Sequence, residues 1–281
     1  MNVYEIVTNR IMELLEEGTV PWHKPWKASG GARNLVSKKP YRGVNQFLLN
    51  CSPYSSPYWL TFNQARQKGG QVRRGEKSTL VLFWKWIDGK DEEVKEGDIN
   101  HLSEKIPLLR YYRVFNLDQV DGVEHPEEEQ VANPFTPIEC AESIVEGMPN
   151  RPNVQCGGNV ALYSPALDLV TLPRWDTFSS PEEFYCTLFH ELAHATGHAT
   201  RLGRKGILEP SCFGSHDYSR EELVAEFCAS MLCATANIEQ QTIENSAAYI
   251  QGWLKVLKDD KKLAIVAAGQ AQKAADYILS I

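Results

Sequence analysis

The residues best suited to chemistry in this chain are His190, Glu191 and His194, in the run HELAH at 190–194. Histidines four residues apart on a helix project from one face, so both imidazoles can bind one Zn²⁺. Glu191 follows the first of them, where a carboxylate can take a proton from a metal-polarised water. The pattern predicts a catalytic zinc site with Glu191 as general base. The alternative is a chance match on an ordinary buried helix.

The residues before this motif carry an independent signal for a helix. Ser180 has the side chain of an N-cap, Pro181 suits the first helical position, and Glu183 can complete a capping box. We expect this helix to run through the motif to Gly197. The local context therefore favours a zinc site over a chance match.

A catalytic zinc usually takes three protein ligands, so a third ligand is needed. His198 points to a different helical face, and we expect the ligand from the next helix. There Glu222 and Glu226 are four residues apart and face one way. We predict that Glu222 binds the metal and that Glu226 accepts a hydrogen bond from a ligand histidine. Glu226 or Glu221 is the alternative ligand. Glu222 could instead form a capping box with Ser219, and Glu221 could be a solvated acid.

The charge of the chain is divided between its two ends. The net charge is −7, made up of +8 in residues 1–90 and −15 in the remainder. Basic groups neutralise phosphates, and the tryptophans and tyrosines interleaved with them can stack on unpaired bases. This mixture is typical of single-stranded DNA binding. The alternative is that the aromatics are core residues and the lysines form a solvated face.

Hydrophobic periodicity predicts an α+β chain of two domains. The expected helices are 2–17, a short one from Thr61 to Gly69, 138–147, and three near 220–235, 245–258 and 261–279. Strands are expected at 80–87 and 108–115, as an antiparallel pair, and at 161–163 and 167–172. The acidic, proline-containing stretch 121–137 is the predicted boundary. This gives an N-terminal α+β DNA-binding domain at 1–125 and a mainly helical second domain at 137–281.

Composition also bears on the compartment. No apolar stretch is long enough to span a bilayer, and residues 1–5 show no secretion signal. The seven cysteines contain no CxxC pair, which argues against a disulfide framework and against a cysteine zinc site. We expect a cytoplasmic protein with no membrane partner.

Motifs along nearly the whole chain carry a family resemblance. In the front half they are Pro21-Trp22 to Pro25-Trp26, KPYRGVN at 39–45, YWLTFNQA at 58–65 and VRRGEK at 72–77. In the back half they are HELAHATGH at 190–198, RLGR at 201–204, EELVAE at 221–226 and AQKAADY at 271–277. In these motifs the chain resembles the ArdC-type antirestriction proteins carried by mobile elements.

This resemblance implies a front domain that binds single-stranded DNA and a back domain with a zincin-like metallopeptidase fold. It also implies protection of incoming plasmid or other mobile-element DNA from host restriction. The peptide or protein substrate is not implied. From chemistry and resemblance together, the predicted DNA contacts are Trp22, Trp26, Lys39, Arg42, Asn45, Trp59, Arg73, Arg74 and Lys77.

Two other functions are compatible with the residues. One is a regulatory zinc metallopeptidase that cleaves a DNA-associated protein, with the DNA-binding domain as its address. The other is a DNA-binding protein whose zinc is structural, against which Glu191 speaks because a structural site needs no general base. The antirestriction and regulatory functions differ in whether Glu191→Gln abolishes the biological effect.

Overall fold

We describe the protein from a computed structural model, which covers residues 2–22, 31–88, 105–126, 136–209, 215–238 and 247–281. Within these ranges the chain forms helices and strands in both halves, as the periodicity predicts. Among the helices of these ranges, none combines the length and the apolar character needed to cross a membrane.

The front half is a sheet flanked by short helices. Its elements are α1 (Val3–Glu16), β1 (Arg33–Asn34), α2 (Val44–Asn50), β2 (Tyr58–Thr61), α3 (Phe62–Gln67), β3 (Gln71–Val72), β4 (Thr79–Asp88), β5 (Lys105–Asn116) and β6 (Val120–Asp121). One sheet has the order β1-β2-β5-β4, and β3 pairs with β6. The predicted antiparallel pair is β4 with β5, and it extends from Thr79 opposite Val114 to Asp88 opposite Lys105.

The back half places helices over a small sheet. Its elements are α4 (Pro137–Gly147), β7 (Asn153–Gly158), β8 (Leu162–Ser164), β9 (Leu169–Pro173), α5 (Pro181–Ala195), α6 (Lys205–Leu208), α7 (His216–Thr235), α8 (Ala247–Asp259) and α9 (Leu263–Leu279). The sheet order is β7-β9-β8, with β9 parallel to β7 and antiparallel to β8. Helix α5, which carries the HELAH run, contacts β8 and β9 and packs on α7.

The two halves share one apolar core. Its largest buried cluster combines Val7 and Ile11 of α1, Trp22 and Phe47 with residues of α5, α7, α8 and α9. A polar contact spans the same boundary, since the Thr8 hydroxyl donates to the carbonyl of Lys261 at 2.7 Å. The front part of the chain therefore completes the core of the back part, and separating them would expose apolar surface on both.

Candidate metal centre

Helix α5 positions the two histidines. Ser180 is its N-cap and accepts a hydrogen bond from the backbone N–H of Glu183. The predicted capping box is wrong in one detail, because the Glu183 carboxylate accepts from Ser179 N–H at 2.7 Å. The helix ends at Ala195, two residues before the predicted Gly197. Its regular geometry brings the Nε2 atoms of His190 and His194 to 3.1 Å.

Helix α7 brings Glu222 to these histidines. Its carboxylate oxygens lie 3.6 Å from Nε2 of His190 and 3.5 Å from Nε2 of His194. Two donors bound at 2.0–2.1 Å in a tetrahedral zinc site lie about 3.3 Å apart. The separation of the two histidine nitrogens is close to that value, and so is the distance from each of them to its nearer Glu222 oxygen, Oε2 for His190 and Oε1 for His194. One donor atom from each residue lies within 4.8 Å of the others, a grouping that could hold a divalent metal. The structure therefore brings together the three residues predicted as ligands.

Glu191 is the buried carboxylate beside this group. It is 7% exposed. Burial raises its pKa, while His190 and His194 lower it, and the backbone N–H of Tyr163 in β8 donates to its carboxylate. A carboxylate held in this way, next to the metal donors and shielded from bulk water, has the position required of a general base.

The carboxylate that supports His194 is Glu221. Its Oε1 atom lies 3.4 Å from Nδ1 of His194, and the Nε and Nη2 atoms of Arg204 donate to it at 3.1–3.2 and 2.5 Å. Arg204 also donates to Thr196 Oγ1 at 2.5 Å and to the Ala193 carbonyl at 2.7 Å. Both members of the ion pair are buried, so the alternative of Glu221 as a solvated acid is wrong.

The start of α7 explains why sequence reasoning missed the contact of Glu221 with His194. The alternative that used Ser219 as an N-cap is also wrong, because α7 begins at His216 and is capped by Ser215. Residues 219–226 are thus inside the helix, where two adjacent glutamates can contact different partners. The RLGR run at 201–204 adds the buried arginine, a signal that could have pointed to a nearby buried acid.

Glu226 lies one turn beyond Glu222 on α7. Burial lowers the pKa of His190, but the hydrogen bond to Glu222 and the charges of Glu226, Glu191 and Glu222 raise it to about 9. Glu226 also hydrogen-bonds the hydroxyl of Tyr249. The contact made by Nδ1 of His194 is with Glu221. The predicted hydrogen bond from a ligand histidine to Glu226 therefore stays a prediction, and it concerns His190.

Tyr218 is a site residue that the sequence reasoning did not name. It lies one turn before Glu222 on α7, and its hydroxyl hydrogen-bonds the Glu222 carboxylate. Burial, followed by the charge and hydrogen bond of Glu222, raises its pKa to about 12. The spacing of four residues is the signal that could have found it.

Comparison with known proteins agrees with both halves of this architecture. A family described as the N-terminal domain of anti-restriction factor ArdC matches residues 1–115, and a zincin-like metallopeptidase family, MPTase-PolyVal, matches residues 140–270. The crystal structure of metal-free ArdC from the R388 plasmid has a TM-score of 0.77 and 36% identity, with 99% of this chain and 97% of that chain covered. The chain belongs to the ArdC antirestriction family.

Other relatives extend this result. The Mn(II)-bound structure of the same ArdC protein has a TM-score of 0.76 and 35% identity, covering 100% of this chain and 98% of that one. Protein y4eC of Sinorhizobium fredii is 34% identical over 99% of this chain and 91% of its own length. DNA primase TraC of Escherichia coli is 34% identical over 99% of this chain, which spans 20% of the length of TraC. The prediction from the sequence is thereby confirmed: an α+β chain with an N-terminal ArdC domain and a C-terminal zincin-like domain.

Three of the DNA contacts predicted for this ArdC family member lie in its interior. Trp22 and Trp59 are 1% and 2% exposed, and each packs in an apolar cluster. Asn45 is buried and bonds the carbonyl and N–H of Leu82 at 2.8 and 2.7 Å. The predicted stacking of these tryptophans on bases is therefore wrong, because the folded core covers their rings. The predicted DNA contact of Asn45 is also wrong, because its side chain is buried and bonds the backbone of Leu82.

The predicted cationic contacts have different surroundings. All five side chains are exposed: Lys39, Arg42, Arg73, Arg74 and Lys77. Arg42 pairs with Asp276 of α9, and Arg73 pairs with Glu76 at 3.2 Å. These pairs compete with a phosphate for the two arginines. Trp26, the remaining predicted contact, lies outside the described residues.

Exposed aromatic rings occur instead on the β4–β5 hairpin. Phe83 and Tyr112 are 45% and 47% exposed, with ring centroids 5.4 Å apart. The strand register pairs Phe83 with Arg110 and Val81 with Tyr112, so these side chains share one face of the sheet. Sequence reasoning missed this face because it weighed aromatic content without the strand register.

Proposed function

We propose that this ArdC family member hydrolyses peptide bonds with a zinc ion held by His190, His194 and Glu222. The observation that carries the proposal is the group of three donors beside buried Glu191: the two Nε2 atoms lie 3.1 Å apart, and each lies 3.5–3.6 Å from one oxygen of the Glu222 carboxylate. Two imidazoles and one carboxylate are a ligand set used by catalytic zinc in peptidases. Zinc is favoured over harder cations by the two imidazole donors.

The bound metal would polarise the scissile carbonyl and increase the acidity of the attacking water. Glu191 takes the proton of that water and passes it to the leaving amine. Burial raises the pKa of Glu191, which makes it a better proton acceptor than an exposed carboxylate. The Tyr163 N–H holds it in place, and the Tyr218 hydroxyl donates to the Glu222 carboxylate and so orients that metal ligand.

The small sheet favours a peptide as the substrate. β8 is an edge strand in the order β7-β9-β8, and the backbone N–H of Tyr163 in its centre donates to Glu191. A strand at a sheet edge can pair with an extended peptide through backbone hydrogen bonds. A peptide bound in this way would pass directly beside the base and the metal donors.

Glu191→Gln in the full-length chain tests the peptidase proposal. The amide keeps the shape of the side chain but cannot take the proton, so we expect unchanged metal content and loss of cleavage. Cleavage of a mixture of unstructured peptides by the zinc-loaded protein can be followed by mass spectrometry. Glu182→Gln, on the first turn of the same helix, is the matched control. Equal cleavage by the Glu191→Gln variant and wild type, or no cleavage by zinc-loaded wild type, would contradict the proposal.

A second proposed function is single-stranded DNA binding, as part of protecting incoming DNA from restriction. The observation that favours it is the exposed face formed by Phe83, Tyr112 and Arg110 on a front half with excess positive charge. Exposed rings stack on unpaired bases with little sequence preference, at about 1–3 kcal/mol per base. Arginine next to them contributes attraction to phosphate.

The double variant Phe83→Ala plus Tyr112→Ala tests this surface. We expect the double variant to bind a fluorescent single strand at least about 10-fold more weakly than wild type. The salt dependence of binding should stay unchanged, because stacking releases few counterions. Tyr111→Ala is the control, because Tyr111 is similarly exposed at 44% but lies on the opposite face of the sheet. Equal effects of the two variants would contradict the assignment.

The antirestriction effect itself separates two mechanisms. If the protein protects DNA by occupying it, Glu191→Gln keeps protection and the DNA-surface variant loses it. If instead the protein is a regulatory peptidase that cleaves a DNA-associated protein, Glu191→Gln loses protection as well. Transfer of unmodified plasmid DNA into a restricting host measures both variants.

A further inference from the structure

Trp22, from the front part of the chain, lies inside the back part. Its indole N–H donates to the hydroxyl of Tyr249 on α8 at 3.1 Å, and its backbone carbonyl accepts from Ser230 of α7 at 2.6 Å. Its ring meets Phe227 and Trp253 edge to face, with centroids 5.0 and 6.0 Å away. The position of this indole is therefore set by two helices of the metal-site half.

The hydrogen bonds continue from Tyr249 towards the metal centre. Its hydroxyl also bonds Trp253 and the carboxylate of Glu226 on α7. Glu226 lies one turn beyond Glu222 and on the same side of the helix. Trp22, Tyr249 and Glu226 thus form a chain of polar contacts that begins in the front part of the sequence.

The packing of α5 on α7 places the end of this chain beside His190. Glu221 contacts His194, and the sulfurs of Cys186 and Cys233 lie 3.1 Å apart, so the two helices run antiparallel. One turn forward on α7 therefore corresponds to one turn backward on α5. By that rule Glu226 faces His190, as the influence of its charge on that histidine also indicates.

The two nitrogens of His190 face different surroundings. Nε2 lies among the metal donors, 3.1 Å from His194 and 3.6 Å from Glu222. Nδ1 is the nitrogen that would not bind the metal. Metal-binding histidines donate this second N–H to a carboxylate or carbonyl, which fixes the tautomer and the ring orientation. His194 has Glu221 for this purpose, and Glu226 is the corresponding carboxylate for His190.

We propose that Glu226 orients His190 for the metal, and that Trp22 and Tyr249 are positioning residues that hold Glu226 in place. This inference rests on the proposed metal site. It makes the front part of the chain a determinant of metal affinity in the back part. Trp22 then has a role other than the DNA stacking predicted for it from the sequence.

Metal affinity of the full-length protein tests the inference without a peptide substrate. Zn²⁺ and Mn²⁺ binding can be measured by competition with a chromophoric chelator. We expect Glu226→Gln to weaken binding about 10- to 100-fold, the range for loss of a carboxylate behind a ligand histidine. Tyr249→Phe and Trp22→Phe remove one link each while keeping an aromatic ring. Tyr249→Phe should weaken metal binding less than Glu226→Gln does, and Trp22→Phe should weaken it less again. Both variants should shift the absorption bands of the Co²⁺-loaded protein.

Trp59→Phe is the matched control for Trp22→Phe. Trp59 is as buried as Trp22 but belongs to a separate cluster, which includes Tyr41 and Val81. We expect Trp59→Phe to lower the melting temperature and leave metal affinity and the Co²⁺ spectrum unchanged. Tyr277→Phe is the control for Tyr249→Phe, because it removes a tyrosine hydroxyl from α9 instead of α8. We expect it to leave metal affinity and the Co²⁺ spectrum unchanged.

The outcomes separate this inference from the proposed function. Wild-type protein that binds no divalent metal would overturn the metal site itself, and the inference with it. Wild type that binds metal while Tyr249→Phe and Glu226→Gln bind equally well would overturn the inference alone. Tyr249→Phe removes a single hydroxyl, so it keeps the test decisive if Trp22→Phe does not fold.

Discussion

Removing one member of the buried pair Arg204–Glu221 should destabilise the protein at least as much as removing both. Their side chains are 7% and 8% exposed, and they bond at 2.5 Å. A single change such as Glu221→Leu or Arg204→Met leaves a buried charge without its counter-ion, at a cost of about 3–5 kcal/mol. If these effects were independent, the double variant would lose about 6–10 kcal/mol.

The double variant Glu221→Leu plus Arg204→Met should lose much less. It contains no unpaired charge, and its main losses are the hydrogen bonds to Thr196, Ala193 and His194. At about 1 kcal/mol for each bond, the expected cost is about 3 kcal/mol. The coupling free energy between the two positions should therefore be at least about 3 kcal/mol.

Urea unfolding of the metal-free, full-length chain measures all four proteins of this cycle. Metal binding supplies an independent readout, because variants without Glu221 also lose the acceptor for His194. We expect their metal affinity to fall about 10- to 100-fold, and Arg204→Met should not restore it in the double variant. Additive single effects, or a loss of less than 1 kcal/mol for Glu221→Leu, would refute the argument that this pair is desolvated.

Two further predictions concern pH and metal removal. Burial acts to raise the pKa of Asp168, but Arg201 and Tyr163 lower it below its ordinary value. The Asp168–Arg201 pair should therefore stabilise the protein above the ordinary carboxyl pKa and lose this effect as pH falls through the lowered value. Asp168→Asn should make melting temperature less dependent on pH between about 5 and 3, and an unchanged slope would contradict this. Chelation of the metal should lower the melting temperature of wild type. When the free metal had been at 100 times its Kd, the free energy of unfolding should fall by about 2.7 kcal/mol. The double variant His190→Ala plus His194→Ala should melt at the same temperature with and without the chelator.

The sequence alone determined the features that depend on neighbours along the chain. Ser180 and Pro181 predicted the start of α5, and the spacing of His190 and His194 placed two imidazoles on one face of it. Helix geometry relates such residues without knowledge of the rest of the fold. The β4–β5 pair was predictable for a similar reason, since its two apolar runs are joined by one charged segment.

Contacts between distant segments depended on the tertiary structure. Glu221, Glu222 and Glu226 lie within six residues of sequence and are chemically alike, and their roles differ because α7 has one rotation and one direction against α5. Periodicity along a single helix does not specify that rotation. The same reason applies to Trp22, whose burial depends on α7 and α8, more than 200 residues later in the chain. Composition identified an aromatic, basic front half, and packing decided which rings are core and which are exposed.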